Sequence, residues 1–269
     1  MHGVRAMSTA SSTSGRSVPS VLRAAQILQA VGAADGAVAL SELSRSLGIA
    51  RSTALNICAA LVDAELLARS DVGGYRLGPA VVALGRRYLD QSDIVSEFKA
   101  VPLGDGTLAE NTLVLSTLDG ATAIYLARRP GTRPGGLTFH VGERIPAHCS
   151  ASGLALLSRL STDEIRNRYS RAPGFQRLTS RSIGSIDELI DELAAIRARG
   201  FAVDDEGTAL GMLGLGVALD VAADEIPVGI GVSLIKSTVT ATMQERIGDE
   251  LISVAQGLRG SAGRRSVAG

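Results

Sequence analysis

The sequence predicts an α+β fold, in which a small N-terminal domain precedes a larger domain built on an antiparallel sheet. The first observation is a pair of short helical patterns around Gly48, followed by a hairpin pattern that ends near Leu77. The second is the order of elements after about Ile94, where strands come in hairpin pairs and helices in blocks. The chain has 269 residues, of which 45% are hydrophobic, and this is enough for one large or two modest domains.

Two short helices are predicted in the part of the chain that ends at Gly48. Ser20 is a candidate N-cap for the first and Ser41 for the second, and Gly48 suits the left-handed residue that ends a helix. The apolar positions recur at helical spacing: Val21, Ala25, Leu28 and Val31 in the first helix, and Leu40, Leu43 and Leu47 in the second.

A third helix is expected from about Ala50 to Ala64, and its two faces differ in chemistry. One face is apolar and would pack inward: Ala54, Ile57, Cys58 and Leu61. The opposite face carries Ser52, Leu55, Asn56 and Ala59, flanked by Arg51 and Thr53. Such a face suits a DNA major groove, since small residues allow close approach and hydroxyls and helix N-terminal amides hold phosphates. Asn56 could pair with adenine, Arg51 could reach guanine or phosphate, and Leu55 could touch a thymine methyl.

A short hairpin is predicted directly after this helix. Residues 66–69 and 75–77 have strand character and are separated by the turn sequence of residues 71–74. Two helices around a glycine also occur as an ordinary helical hairpin inside a core, but the added hairpin favours a winged helix-turn-helix. Arg69 and Arg76, one on each arm, would then lie against the DNA backbone or in the minor groove.

A further helix is expected after the Gly78-Pro79 dipeptide, from Ala80 to about Gln91, because proline suits the first turn of a helix. Val81, Leu84 and Tyr88 form a narrow apolar seam on it. Such a helix between two domains needs a partner, and a second copy of the chain is the simplest one. A dimer of this kind would present two heads to two half-sites of a double-stranded DNA operator.

Composition limits the classes of function. The net charge is zero, and residues up to Asp90 carry nine arginines against six acidic residues, so a mildly basic front precedes an acidic rear. Residues 1–17 lack the apolar core of a secretory signal, and no apolar run is long enough to span a bilayer. Two cysteines provide neither a metal cluster nor a disulfide framework. We therefore expect a cytoplasmic protein with no membrane contact, no metal and no cofactor.

The larger domain is expected to contain six strands and four helices. The strands are expected at residues 112–116, 121–127, 137–141, 201–204, 213–219 and 226–234, the first two of which form one hairpin around Asp119-Gly120. The helices are expected at residues 151–160, after two capping boxes at Ser161–Glu164 and Ser185–Glu188, and from Thr238 to Leu258. The helix after the second capping box should end at Gly200.

In the order of these features the chain resembles the IclR family (isocitrate lyase regulator family) of transcriptional regulators. The resemblance covers about Val18 to Leu258. The matching stretches are SVLRAAQIL, LSELSRSLGIARSTALNICAALVDAELL, GGYRLGPAVVALG, IPAHCSASGLALL and ELAAIRARGFAVDDEGTALG. The resemblance implies a winged helix-turn-helix head, a linker helix and a rear effector-binding domain related to GAF sensory folds. It also implies a dimer or a dimer of dimers, and a small organic acid that alters DNA binding.

On this basis the chain divides into five parts. They are a disordered lead (1–17), the DNA-binding domain (18–78), a linker and dimerisation helix (79–97), the effector-binding domain (98–260) and a disordered tail (261–269). The two glycines of residues 103–108 fall where the family has a continuous helix, so we expect this helix to be broken or shortened.

The resemblance also carries effector contacts onto particular residues. Backbone amides near Ala151 and Ser152 match the place where the family holds a ligand carboxylate, and Asp204 and Ser233 match two further contacts. Gly214 lies in a stretch that departs from the family pattern, and Gly231 replaces a strand serine. These departures predict a roomier and more apolar pocket. Asn56 also stands where a long residue such as arginine is usual, so the base preference should differ.

Two other functions fit parts of the sequence. The first is an enzyme that uses Cys149 as nucleophile with His148 and Asp204 or Asp205, although neighbouring residues of an extended segment point to opposite sides. The second is a regulator with a degenerate pocket that acts through protein partners. The simpler interpretation of His148 is a hydrogen-bonded structural residue, and that of Asp204 is a turn carboxylate.

Overall fold

The computed structural model describes residues 18–90, 93–103, 106–133, 139–172, 174–221 and 226–265, with side chains up to Leu258. The predicted disordered lead, residues 1–17, lies outside the described residues. The chain forms two compact units with the division after Tyr88. The predicted α+β class is confirmed in both units. None of the helices within the described ranges is both long and apolar enough to cross a membrane.

The N-terminal unit is a winged helix-turn-helix. Its elements are α1 (Pro19–Gly32), α2 (Leu40–Ser46), α3 (Arg51–Asp63), β1 (Leu67–Arg69) and β2 (Tyr75–Leu77). The strands pair antiparallel, and Val38 adds an isolated bridge to Tyr75. The core is formed by Ile27, Val31, Val38, Leu43, Cys58, Leu61, Leu67 and Tyr75. Gly48 has φ +61°, as its predicted place after α2 requires.

Both predicted caps in this unit are wrong. Helix α1 begins at Pro19, one residue before Ser20, because proline has the helical φ and its missing N–H is not needed in the first turn. Helix α2 begins after Ala39, whose φ and ψ are already extended, so Ser41 lies inside the helix. The apolar stripe of α1 is also shifted. Val21 is 64% exposed, and the inward face is instead formed by Ala24, Ile27, Leu28 and Val31 at positions i, i+3, i+4 and i+7.

Three helices connect the head to the sheet: α4 (Ala80–Asp90), α5 (Asp93–Ala100) and α6 (Thr107–Glu110). Helix α4 crosses the division between the two units and has no buried residue. The predicted interruption near the two glycines is confirmed, since α5 ends at Ala100 and α6 begins at Thr107.

The C-terminal unit is built on one antiparallel sheet of six strands. They are β3 (Thr112–Asp119), β4 (Thr122–Arg129), β5 (Arg144–Pro146), β6 (Ala202–Asp205), β7 (Met212–Ala218) and β8 (Val228–Ile235). The spatial order is β5-β4-β3-β8-β7-β6. The predicted hairpin of β3 and β4 is confirmed, with Gly120 at φ +60° in its turn.

Helices cover both faces of this sheet. One face packs against α5, α6 and α10 (Ala241–Arg265) through a large apolar cluster that includes Phe98, Leu115 and Leu251. On the other face lie α7 (Ala151–Leu157), α8 (Thr162–Ser170) and α9 (Ile186–Arg199). Gly200 ends α9 at φ +91°, as predicted.

Four glycines let α7 lie very close to the sheet. Gly216 pairs with Gly231 across β7 and β8, and Gly214 and Gly229 lie two residues away on the same face. A Cβ atom at Gly216 would overlap the Ala151 carbonyl, and one at Gly229 would lie 2.9 Å from the carbonyl oxygen of Ser152. The start of α7 is therefore seated on the sheet backbone.

Several predicted elements of this unit differ from the structure. Phe139–Val141 are not a strand, because residues 140–143 form a turn and Arg144–Pro146 pair with β4 instead; residues 137–138 lie outside the described part. Helix α7 ends at Leu157 rather than at residue 160, and Arg197 donates to the carbonyls of Ser158 and Leu160. The final helix begins at Ala241 rather than Thr238, which lies in a short 3-10 turn.

The remaining differences are at a cap and at the C-terminus. The Ser161–Glu164 capping box is confirmed, whereas Glu188 accepts from the amide of Gly184 and not from that of Ser185. Helix α10 continues to Arg265, so residues 261–265 of the predicted tail are helical and residues 266–269 lie outside the described residues.

Candidate functional site

The first candidate surface is the outer face of α3. Arg51, Ser52, Leu55 and Asn56 are exposed, and Thr53 is half-buried, while Ala54 and Cys58 are fully buried on the inner face. The two-faced helix is therefore present as predicted. Ala50 precedes α3 and its side chain offers no cap. The amides of the first turn are therefore not capped by a side chain, and free helix N-terminal amides next to an arginine and hydroxyls suit phosphate.

The two wing arginines lie on opposite faces of the hairpin. Arg69 pairs with Tyr75 in the register, and its guanidinium carbon is 5.8 Å from the centroid of the Tyr75 ring. Arg76 pairs with Ala68, one position along, so its side chain leaves the other face. Both are exposed.

The second candidate site is a small cavity between α7 and the sheet, with a volume of about 30 Å³. Its polar residues are Tyr125, Ser150, Ser152, Asp204, Thr208 and Ser233. Its apolar residues are Val114, Phe139, Ala151, Met212 and Val232, with Gly214 and Gly231 in the sheet. All six predicted effector-site residues therefore line one cavity, although they come from α7, β6, β7 and β8.

Asp204 provides the one carboxylate among the described residues that line this cavity. It is 8% exposed, and its Oδ1 accepts from the amide of Gly207 at 2.7 Å. The amide and hydroxyl of Thr208 also lie within hydrogen-bond distance of the carboxyl oxygens. Burial raises the pKa of Asp204 to about 6, although the hydrogen bonds from Thr208 and Gly207 act in the opposite direction. Asp204 is thus both a turn carboxylate and a cavity residue.

Ser152 presents an unused polar group to the same space. Its side chain is 2% exposed, and its Oγ has no hydrogen-bond partner in the described structure. Ser150 is different, because its Oγ accepts from the amide of Gly153 and so caps α7. A buried hydroxyl without a partner is costly in a folded protein, and a bound molecule or water in the cavity would satisfy it.

The expectation of a pocket roomier than the family's stays a prediction, but the two glycines do not leave open space beside α7. A Cβ at Gly214 would lie 3.1 Å from the Cβ of Ala151, and one at Gly231 would lie 3.2 Å from the Cβ of Ser152. The space released by the missing side chains is therefore already occupied by α7. The cavity as it stands holds about one water molecule, and a larger ligand requires its walls to move.

His148 and Cys149 take structural roles next to this site. Both are buried, and both His148 Nε2 and Cys149 Sγ contact the carbonyl oxygen of Gln176, at 3.0 and 3.4 Å. His148 Nδ1 lies 3.1 Å from the hydroxyl of Tyr169. Burial raises the pKa of the Cys149 thiol, and a carbonyl cannot take its proton. The geometry fits the structural interpretation of His148 rather than an activated thiol.

Comparison with known proteins identifies the family. Residues 20–71 match the family model of the IclR helix-turn-helix domain, and residues 86–259 match the model of the bacterial transcriptional regulator IclR C-terminal domain. The chain belongs to the IclR family. It is therefore a transcriptional regulator with a DNA-binding head and an effector-binding C-terminal domain.

Individual relatives and solved structures are similar over most of the chain. The HTH-type transcriptional regulator Rv1719 of Mycobacterium tuberculosis is 31% identical over 233 residues, which are 86% of this chain and 85% of that protein. The repressor BlcR of Agobacterium tumefaciens is 34% identical, with 90% and 95% of the chains covered and a TM-score of 0.56. An IclR homologue of Microbacterium hydrocarbonoxydans, complexed with 4-hydroxybenzoate, is 18% identical, with 89% and 97% covered and a TM-score of 0.69.

The sequence analysis missed several residues of the cavity. Tyr125 and Phe139 form an edge-to-face pair with ring centroids 5.1 Å apart, and together with Val114 they form the wall opposite α7. Thr208 was missed as well, although its spacing from Asp204 is typical of a carboxylate that accepts from amides a few residues on. The alternation along β4 could have indicated that Tyr125 shares a face with Ala123.

Proposed function

We propose that this IclR-family regulator binds a double-stranded DNA operator through α3 and the wing, and that a small molecule in the cavity changes its DNA affinity. The observation that carries the first part is the exposed face of α3, where one guanidinium, two hydroxyls and one amide surround the N-terminal turn. Because BlcR is a repressor of similar sequence, we propose repression as the mode of action. The site of action would be the cytoplasm, where the chromosome lies.

The proposed DNA contacts divide into two kinds. Arg51, Ser52 and Thr53 would hold phosphates at the start of α3, and Arg69 or Arg76 would contact the backbone or minor groove. Leu55 and Asn56 would face base edges, with Asn56 pairing with adenine and Leu55 touching a thymine methyl.

The matched variants Asn56→Ala and Arg51→Ala test this division. We expect Asn56→Ala to lose discrimination at one base pair, by about 1–3 kcal/mol, while its affinity for other sequences stays nearly constant. Arg51→Ala should weaken binding to all sequences and reduce the slope of log affinity against log salt by about 1. Fluorescence anisotropy with the DNA upstream of the coding region and its single-base variants measures both. An unchanged base preference in Asn56→Ala would show that α3 is wrongly placed on the DNA.

The proposed effector site is the cavity lined by Ala151, Ser152, Asp204, Gly214, Gly231 and Ser233. The unpartnered hydroxyl of Ser152 supports this assignment, because it is a buried polar group that a ligand would satisfy. The class of effector proposed from the family resemblance is a small organic acid, and the complex of the Microbacterium homologue with 4-hydroxybenzoate supports that class. The anisotropy assay repeated with a panel of organic acids tests the coupling, and an acid that shifts the operator affinity would identify the effector.

We also propose that the chain acts as a dimer or a dimer of dimers. The seam on α4 supports this, since Leu84 is 61% and Tyr88 45% exposed and no residue of α4 is buried within the chain. Leu84→Asp should shift sedimentation toward the monomer, because the substitution would bury a charge in the dimer interface. Ser96→Asp on α5 is the control, since Ser96 is exposed outside the seam. An unchanged oligomer in Leu84→Asp would exclude α4 as the interface.

Catalysis is not part of the proposal. The hydrogen bonds of His148 and Cys149 to one backbone carbonyl favour structural roles for both.

A further inference from the structure

We propose that the cavity binds its effector without adding net negative charge. An organic acid would enter together with one proton, which is held between the ligand and Asp204, whereas an uncharged amide or alcohol would enter alone. This inference rests on the proposed function, since it concerns the same cavity and names the charge state of the ligand that the cavity accepts.

The first argument is the charge of the walls. Among the described residues that line the cavity, Asp204 is ionisable near neutral pH and none is lysine, arginine or histidine. The other polar groups are the hydroxyls of Tyr125, Ser150, Ser152, Thr208 and Ser233. A ligand carboxylate would therefore meet a carboxylate in a small dry space without a cation, and two such groups do not both stay ionised.

The second argument is the number of hydrogens around Thr208. Its Oγ1 lies within hydrogen-bond distance of two acceptors, the carbonyl oxygen of Cys149 and Oδ2 of Asp204. A hydroxyl carries one hydrogen, so it can donate to only one of them. If Asp204 is protonated, its carboxyl donates to Thr208 and the threonine donates to Cys149, and both contacts become hydrogen bonds. The geometry thus provides a place for a proton on Asp204, and burial raises the pKa of this carboxyl in the same direction.

The third argument is Ser152. Its buried Oγ has no partner, and a hydroxyl can both donate and accept. It can therefore serve either a carboxyl oxygen or an amide of the ligand without supplying charge.

The other titratable groups around Asp204 are neutral near pH 7, already paired, or, like Arg177 and Asp191, line an outer groove with it. Tyr125, His148 and Cys149 stay neutral near pH 7, because burial raises the pKa of the tyrosine and the thiol and lowers that of the histidine. On the outer side, Asp205 contacts Arg181 and Lys236, and Glu206 contacts Lys236. From α9, Glu188 accepts from the amide of Gly184, Glu192 contacts Arg199, and Asp191 lines an outer groove with Asp204.

The experiment is calorimetric titration of the full-length protein with matched ligand pairs. The pairs are 4-hydroxybenzoate with 4-hydroxybenzamide and propanoate with propanamide, each measured in two buffers of different ionisation enthalpy. We expect about one proton taken up per carboxylate bound above the pKa of Asp204, with an affinity that falls about 30-fold between pH 6.5 and pH 8.0. The amides should bind without proton uptake and with nearly constant affinity.

Asp204→Asn and Asp205→Asn form the matched variants, since the two residues are adjacent but only Asp204 lines the cavity. Asp204→Asn should bind the carboxylates more tightly at pH 8.0, with no proton uptake, whereas Asp205→Asn should behave like the parent. The proton count of the parent protein stands without either variant, should Asp204→Asn fail to fold.

Three results would overturn the inference: carboxylate binding without proton uptake, proton uptake that persists in Asp204→Asn, or no binding by either member of either pair at millimolar concentration. Operator binding measured in the same samples separates the two proposals. A ligand that binds with one proton but leaves the operator affinity unchanged supports this inference and removes the effector role. A ligand that shifts operator binding but binds without proton uptake supports the effector role and overturns this inference.

Discussion

Replacing Asp204 by asparagine should stabilise the protein at neutral pH, although it removes a hydrogen-bonded charge. The carboxyl accepts from Gly207 and Thr208, but it is buried in a cavity without a cation, and its pKa is raised from 3.8 to about 6. Asparagine can keep these contacts, because its oxygen can accept from the two amides while its NH₂ donates to the hydroxyl of Thr208. The substitution therefore removes the cost of burying a charge and retains the turn.

The magnitude follows from the pKa. Because the folded-state pKa lies above the unfolded value, the protonated carboxyl stabilises the fold below pH 3.8, and this stabilisation is lost as the pH rises through 6. A rise in pKa of this size destabilises the fold by about 3 kcal/mol at pH 7.5 and by about 1 kcal/mol at pH 4.5, relative to a carboxyl whose pKa does not change on folding. The gain in unfolding free energy of Asp204→Asn over the parent should thus be about 2 kcal/mol larger at pH 7.5 than at pH 4.5.

Urea unfolding of both full-length proteins at the two pH values, followed by circular dichroism, measures this difference. The comparison of parent and variant at each pH cancels the contribution of the N-terminal unit, which is the same in both chains. Asp205→Asn is the control and should show no comparable change, because its carboxyl lies 43% exposed at the surface. A variant that is less stable than the parent by the same amount at both pH values would refute the reasoning, since the hydrogen bonds of the charge would then outweigh its burial.

Two further predictions concern packing away from Asp204. Gly216→Ala should destabilise the protein by about 1–3 kcal/mol, because its methyl group would overlap the backbone of α7. Gly257→Ala, at an open position of α10, should instead stabilise the protein by about 0.5–1 kcal/mol. Equal effects of the two substitutions in thermal unfolding would contradict this prediction. Tyr169→Phe should cost about 1–3 kcal/mol, since it leaves Nδ1 of buried His148 without a donor. A melting temperature unchanged in Tyr169→Phe would show that His148 finds another partner.

Local signals in the sequence were sufficient for most of the fold. The two faces of α3 follow from helical periodicity alone, and the β3–β4 hairpin follows from alternation around a glycine that requires positive φ. Helix starts were less predictable. Ser20 and Ser41 are good capping residues, but Pro19 and the extended Ala39 begin the helices earlier, because backbone geometry decides where the first turn forms.

The cavity could be predicted only in part. Asp204 and Ser233 lie on strands whose order in the sheet places them together, and the family resemblance had matched both to effector contacts. Tyr125 comes from the other half of the sheet and Phe139 from the segment before β5, and no periodicity relates them to α7. A missing side chain at Gly214 or Gly231 does not by itself give empty space, because the helix approaches until the space is filled.

Because of the glycine contact between α7 and the sheet, the positions around the cavity differ in how well they tolerate substitution. At Gly216 and Gly229, which lie beside the cavity, an added Cβ would meet the main chain of α7, so substitutions there would disturb the packing of α7. Val114, Phe139 and Met212 face the same space with side chains that can be exchanged for others of different size. A library aimed at a new inducer for a biosensor should therefore randomise these three positions and leave the glycines as they are.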